Sequence, residues 1–128
     1  MGYAITRKTH GEFDAVIGRV KDALKSEGFG VLTEIDVAAT LKTKIGEDFR
    51  PYRILGACNP SLAFQALNAE ANIGVMLPCN VIVQRYDNGE VEVSSIDPAS
   101  AMQVVGNSKL SAVADQVRAA LKRVIEAV

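Results

Sequence analysis

The stretch MLPCNVIVQRYDNGEVEVSS, residues 76–95, decides how the rest of the chain can fold. Two β-prone runs, 76–86 and 90–95, flank Asp87, Asn88 and Gly89. Asn-Gly between such runs is a strong hairpin signal, because both residues tolerate positive φ. A hairpin makes its two strands antiparallel. A doubly wound parallel sheet also needs long crossover helices, and the helical segments next to these strands are short.

Working outward, the N-terminal side alternates strands and helices. Residues 3–6 form a short β-prone segment. THGE, residues 9–12, has the spacing of a capping box, and Phe13, Val16, Ile17, Val20 and Leu24 then recur at helical spacing. A helix is predicted over residues 12–27, stopped by Gly28. FGVLTEIDV, residues 29–37, reads as a strand with Phe29, Val31, Thr33 and Ile35 on one face and Leu32, Glu34 and Asp36 on the other. Asp36 is placed to cap a short helix over 38–45, ended by Gly46. Residues 51–58 form a third strand, with Tyr52, Ile54, Gly56 and Cys58 on one side. Asn59 followed by Pro60 has the form of an N-cap with Pro at the first helical position, opening a helix over 61–68.

Beyond the hairpin, Asp97 and Pro98 repeat the cap-then-Pro pattern and open a short turn of helix. Ser108 is placed to cap the last helix. There Leu110, Val113, Ala114, Val117, Leu121, Val124, Ile125 and Val128 form an apolar stripe that must be covered. The expected architecture is α+β: an antiparallel sheet of four or five strands with both long helices packed on one face, in a single domain spanning 1–128.

The totals narrow the function. The 128 residues are 48% hydrophobic, with no Trp, and carry a formal net charge of −1. No Lys/Arg block is present, so a phosphate-tracking nucleic-acid surface is not expected. No apolar run is long enough to span a bilayer and no leader-like segment is read, so the expected location is cytoplasmic. Two cysteines do not make a disulfide framework.

GFGVLTEIDV (28–37), YRILGACNPSLAFQAL (52–67), MLPCNVIV (76–83) and IDPASAM (96–102), in this order, resemble the domain-of-unknown-function 302 family. The resemblance runs over nearly the whole chain. It implies a fold of the TATA-box-binding-protein-like α+β class and association as homodimers. It implies no reaction, ligand or catalytic residue.

Two readings stand for Cys58. Next to a helix opened by Asn59 and Pro60, its thiolate would gain from the positive end of the helix dipole. Equally, free Cys is often a small buried apolar residue. Cys79 follows Pro78 and shares a face with Leu77, Val81 and Val83, which reads as core. If the third and fourth strands are neighbours, both thiols can meet in one cleft, as a reversible disulfide or a holder of a soft metal such as Cu(I). Glu34 is either a solvated strand carboxylate or, near Cys58 or Arg53, a base or an ion-pair partner. His10 is the one histidine and sits in the expected capping box, too far from a set to build a triad or a closed zinc site. Met76 and Met102 read as core filler.

The expected function is a homodimeric module that binds a small molecule or soft metal, or senses redox state, through Cys58, Asn59, Cys79 and Glu34. One alternative is a thiol-dependent enzyme with Cys58 as nucleophile and Glu34 as base. The other is a structural or assembly protein.

Overall fold

The hairpin forms where the sequence puts it. The computed structural model describes residues 2–128, and in it β4 (Cys79–Arg85) and β5 (Val91–Ile96) pair antiparallel with Val83 opposite Val93. Gly89 N–H donates to the Tyr86 carbonyl at 2.9 Å, and only Gly89 of the two turn residues takes positive φ, at 87°. The remaining strands are β1 (Ala4–Thr9), β2 (Gly30–Asp36) and β3 (Tyr52–Cys58). The order across the sheet is β1-β5-β4-β3-β2, every neighbouring pair antiparallel. This is the expected α+β sheet, with five strands.

The helices are α1 (Phe13–Ser26), α2 (Val37–Ile45), α3 (Pro60–Ala69), α4 (Pro98–Gln103) and α5 (Ser111–Ala127). Both long ones lie on one face. Val16, Ile17, Val20 and Leu24 of α1 and Val117, Leu121, Val124 and Ile125 of α5 join Leu55, Val81, Val83, Val91 and Val93 of the sheet in one aliphatic core. The apolar stripes exist because a helix of this length holds its place only by burying one face.

Three of the expected caps form. Asp36 accepts from Ala39 N–H at 2.9 Å, Asn59 from Leu62 N–H at 3.2 Å, and Asp97 from Ala99 N–H at 3.1 Å. Two do not. Thr9 is the last residue of β1, paired with Val91, so it is spent on the sheet, and Glu12 begins α1 with no side-chain cap. Asn107, not Ser108, accepts from Lys109 N–H, at 2.9 Å, and a short 3₁₀ turn precedes α5. A second 3₁₀ segment, Ala71–Met76, delays the start of β4 to Cys79.

A bulge reshapes β2. Val31 pairs with Ala57 and Thr33 with Gly56, so Leu32 is the extra residue. The expected single face of Phe29, Val31, Thr33 and Ile35 is therefore broken. Val31 stays on the helix side, while Thr33 and Ile35 turn to the other and Glu34, still exposed, comes to the helix side opposite buried Leu55.

Gly56 shows why this corner admits no side chain. A Cβ there would sit 2.8 Å from Pro78 Cγ and collide with the Thr33 hydroxyl. The hydroxyl can rotate away; the proline ring, fixed to the chain, cannot. Gly56→Ala is expected to lower stability by about 1–3 kcal/mol through overpacking, read as an earlier urea midpoint at unchanged slope. An unchanged midpoint would mean that Pro78 yields freely.

Candidate functional site

The candidate site is a cavity beside the C-terminal end of β3, between the sheet and α3 and α5. Its position follows from the register. Ala57 of β3 pairs with Cys79 of β4, so Cys58 and Cys79 reach the same end of the sheet. Asn59 then turns the chain into α3, which carries Leu62 and Ala66 across the opening. Met102 of α4 and Val117 of α5 close the far side. Cys58, Asn59 and Cys79 all line the cavity, as does Phe29.

The enclosed space is about 30 Å³, room for roughly two waters. Its wall is almost wholly apolar, and no charged side chain lines it among the described residues. The sequence around it is correspondingly bare of charge: between Arg53 and Arg85 the only charged residue is Glu70. A polar or ionic ligand would lose its hydration here with few groups to replace it.

Both cysteines are free, Cys58 half-buried and Cys79 buried. Burial pushes the Cys79 thiol up to about 11, and the neighbouring Cys58 adds to the shift. Cys79 therefore stays protonated at neutral pH. The cross-strand partner of Cys79 is Ala57, and that of Cys58 on the other side is Gly30. The thiols are not direct register partners: Cys58 follows Ala57, the residue opposite Cys79, so the two sit diagonally at one end of the sheet.

Glu34 is not at this cavity. The bulge at Leu32 turns it toward α1, where its carboxylate meets Lys21 Nζ at 2.7 Å and Arg53 Nη1 at 2.5 Å. The hydrogen bond from Lys21, then that from Arg53, holds its carboxyl below the ordinary range. Arg53 also lies 5.8 Å from the Phe13 ring centroid and 3.7 Å from Asp36. The expected grouping of Glu34 with Cys58 is thus corrected. A carboxylate held ionised by two cations, on the helix side of an edge strand, is an ion-pair partner of Arg53 and not a base for Cys58. His10 is exposed in the turn between β1 and α1, and among the described residues no group of three or more His, Cys, Asp or Glu can hold a metal ion.

Several lining residues carried no advance signal. Phe29, Met102 and Val117 read as ordinary core positions, and only the tertiary packing brings them together. Another cluster also escaped notice. Arg50 lies 4.5 Å from the Phe49 ring centroid and 5.2 Å from that of Tyr86, and its Nε donates to Gln84 Oε1 at 2.9 Å. The sequence signal was the run Phe49-Arg50-Pro51-Tyr52.

The comparisons agree with this architecture. The chain is similar to the crystal structure of an uncharacterised conserved DUF302 protein from Bacillus stearothermophilus, at 27% identity and a TM-score of 0.90 over 96% of this chain and 95% of that one. No curated protein matches. No helix among the described residues is long and apolar enough to cross a membrane. The family model for the domain of unknown function DUF302 matches residues 5–128, nearly the whole chain, and the chain belongs to that family.

Proposed function

We propose that the protein is a non-enzymatic binding and sensing module of the cytoplasm, working as a homodimer, that takes a small, uncharged, apolar molecule at the Cys58–Cys79 cavity. The observation that carries this reading is an apolar cavity into which two free thiols open with no charged neighbour. Such a wall favours burial of an apolar group, and a thiol at its edge adds reactivity toward a soft electrophile. Free thiols suit a reducing compartment. The resting cavity holds only a few atoms, so a larger ligand must displace α3, the helix that covers it.

A soft metal is the less favoured ligand. Two thiolates are its only candidate donors, and Cys79 would have to give up a proton held to about pH 11. The enzyme alternative loses its base, since Glu34 is engaged with Lys21 and Arg53.

The test is alkylation of the native protein at pH 7 with an uncharged maleimide, located by mass spectrometry. Cys58 is expected to label first. Cys79 should lag by about 100-fold or more, from its smaller thiolate fraction and its burial together. Protection of Cys58 by a neutral aromatic or short alkane, and not by its carboxylate analogue, would support the ligand class. Equal labelling of the two thiols, or none before unfolding, would remove Cys58 as the responsive group.

A further inference from the structure

A second cleft lies at the other end of β3 from the thiols, where the segment between α2 and β3 meets the β4–β5 hairpin. Arg85 N–H donates to the Pro51 carbonyl at 3.0 Å and fixes the segment there. The cleft has a volume of about 580 Å³ and is lined by Asp48, Phe49, Arg50, Pro51, Tyr86 and Asp87. That is the size range of small-molecule sites.

Arg50 is held rigidly in this cleft. Its guanidinium carbon lies 4.5 Å from the Phe49 ring centroid, 5.2 Å from that of Tyr86 and 5.8 Å from that of Tyr52, close enough for the cation to be attracted by the ring faces. Its Nε donates to Gln84 Oε1 at 2.9 Å, and Gln84 is only 6% exposed. Gln84 is held in turn by Glu92, to which its Nε2 donates at 3.4 Å. A guanidinium fixed in this way loses little freedom on binding. Yet its outer fork is free: among the described residues neither Nη1 nor Nη2 of Arg50 has a hydrogen-bond or ion-pair partner.

The acids around it are not equivalent. Asp48 is paired with Lys42 at 2.9 Å, and Glu92 accepts from the Tyr86 hydroxyl at 3.0 Å. Asp87 is exposed at the hairpin turn and has no ion-pair partner among the described residues. Arg85 lines the adjoining recess without pairing to it. The cleft therefore offers one guanidinium fork, one unpaired carboxylate and the aromatic walls of Phe49 and Tyr86. A carboxylate fits the fork. A simple anion such as phosphate would also meet the negative field of Asp87 and Asp48, and a neutral molecule would leave both charges unused. A ligand that satisfies all three parts carries a carboxylate, an ammonium and an apolar group.

We infer that this cleft binds a small zwitterion with the chemistry of a free apolar amino acid. Its carboxylate lies on Nη1 and Nη2 of Arg50, its ammonium on Asp87, and its side chain against Phe49 and Tyr86. The site is separate from the thiol cavity and does not depend on what binds there.

The test is a titration of the full chain with phenylalanine, followed by the NMR shifts of the backbone amides and the arginine Nε–H groups. A Kd on the order of 1 mM is expected for a ligand this small, with shifts at Phe49, Arg50, Tyr86 and Asp87. N-acetylphenylalanine keeps only the carboxylate and phenylalaninamide only the ammonium; each should bind about 10-fold or more weakly. Arg50→Gln should weaken phenylalanine binding by about 10-fold or more. Asp87 is exposed at a turn, so Asp87→Asn keeps the test alive if Arg50→Gln fails to fold; it should erase the preference for phenylalanine over N-acetylphenylalanine. No shifts up to about 10 mM, equal affinity for either derivative, tighter binding of inorganic phosphate, or a preference unchanged in Asp87→Asn would each overturn the assignment. Phenylalanine should also leave the rate of Cys58 alkylation unchanged. Protection of Cys58 would put the ligand in the thiol cavity and overturn the assignment as well.

Discussion

Leu121→Ala is expected to lower the unfolding free energy by about 3–5 kcal/mol. Leu121 is fully buried in the middle of α5, within the aliphatic core that joins this helix to α1 and the sheet. Truncation removes the transfer energy of the lost methyl groups and leaves a cavity that close-packed neighbours cannot fill. The core has no Trp and only Phe29 as a fully buried aromatic, so branched aliphatic side chains supply most of its contact area. Urea denaturation should report an earlier midpoint with an unchanged slope. The matched control is Leu67→Ala. Leu67 is 45% exposed on α3, and its truncation should cost a small fraction as much. A loss below about 1 kcal/mol at Leu121 would mean that α5 is not docked as described.

The same reasoning explains how much of the molecule could be read from its sequence. Signals that depend on nearest neighbours were legible. Asn88-Gly89 marked the hairpin, and Asp36, Asn59 and Asp97 marked helix starts, each accepting the backbone N–H expected of a cap. Patterns sustained over several turns, such as Val16 to Leu24, were legible too. What failed were positions claimed by two structures at once. Thr9 could cap α1 or extend β1, and the ladder with β5 won because it satisfies backbone groups on consecutive residues. Leu32 carries no mark of a bulge, yet the bulge alone moves Glu34 to the helix side and Ile35 to the open face.

The candidate site was legible only in part for a related reason. Cys58, Asn59 and Cys79 were found by their own chemistry, and the Ala57–Cys79 register carries them to one end of the sheet. Register between strands separated by a helix and a 3₁₀ turn is a long-range property. For Glu34 the sequence leaves two partners open, Cys58 or Arg53, and the unmarked bulge at Leu32 places its carboxylate with Arg53 and Lys21. The lining of the cavity by Met102 and Val117 likewise required the tertiary fold.

Raising the pH should expose Cys79 as a stabilising group that fails in alkali. Its folded pKa stands at about 11 against 9.0 for a free thiol, raised chiefly by burial and then by Cys58. Below pH 9 the thiol is neutral in both states, and its elevation contributes in full. Between pH 9 and 11 the unfolded chain gives up the proton while the folded protein keeps it. The unfolded state then binds fewer protons, so stability falls with pH across this window. A shift of two units corresponds to about 2–3 kcal/mol lost by pH 11. Tyrosines and lysines also titrate there, so the diagnostic is a difference. Cys79→Ala should lower stability at pH 7 by an offset from lost packing, and should lose less than the wild type between pH 9 and 11. The two curves must therefore converge as pH rises. Cys58→Ala should leave most of the wild-type slope in place, because burial is the larger cause and Cys58 the smaller. Parallel curves for wild type and Cys79→Ala would mean that the thiol is hydrated in the folded state. The cavity would then be wet, and the argument for an apolar ligand at Cys58 would lose its physical basis.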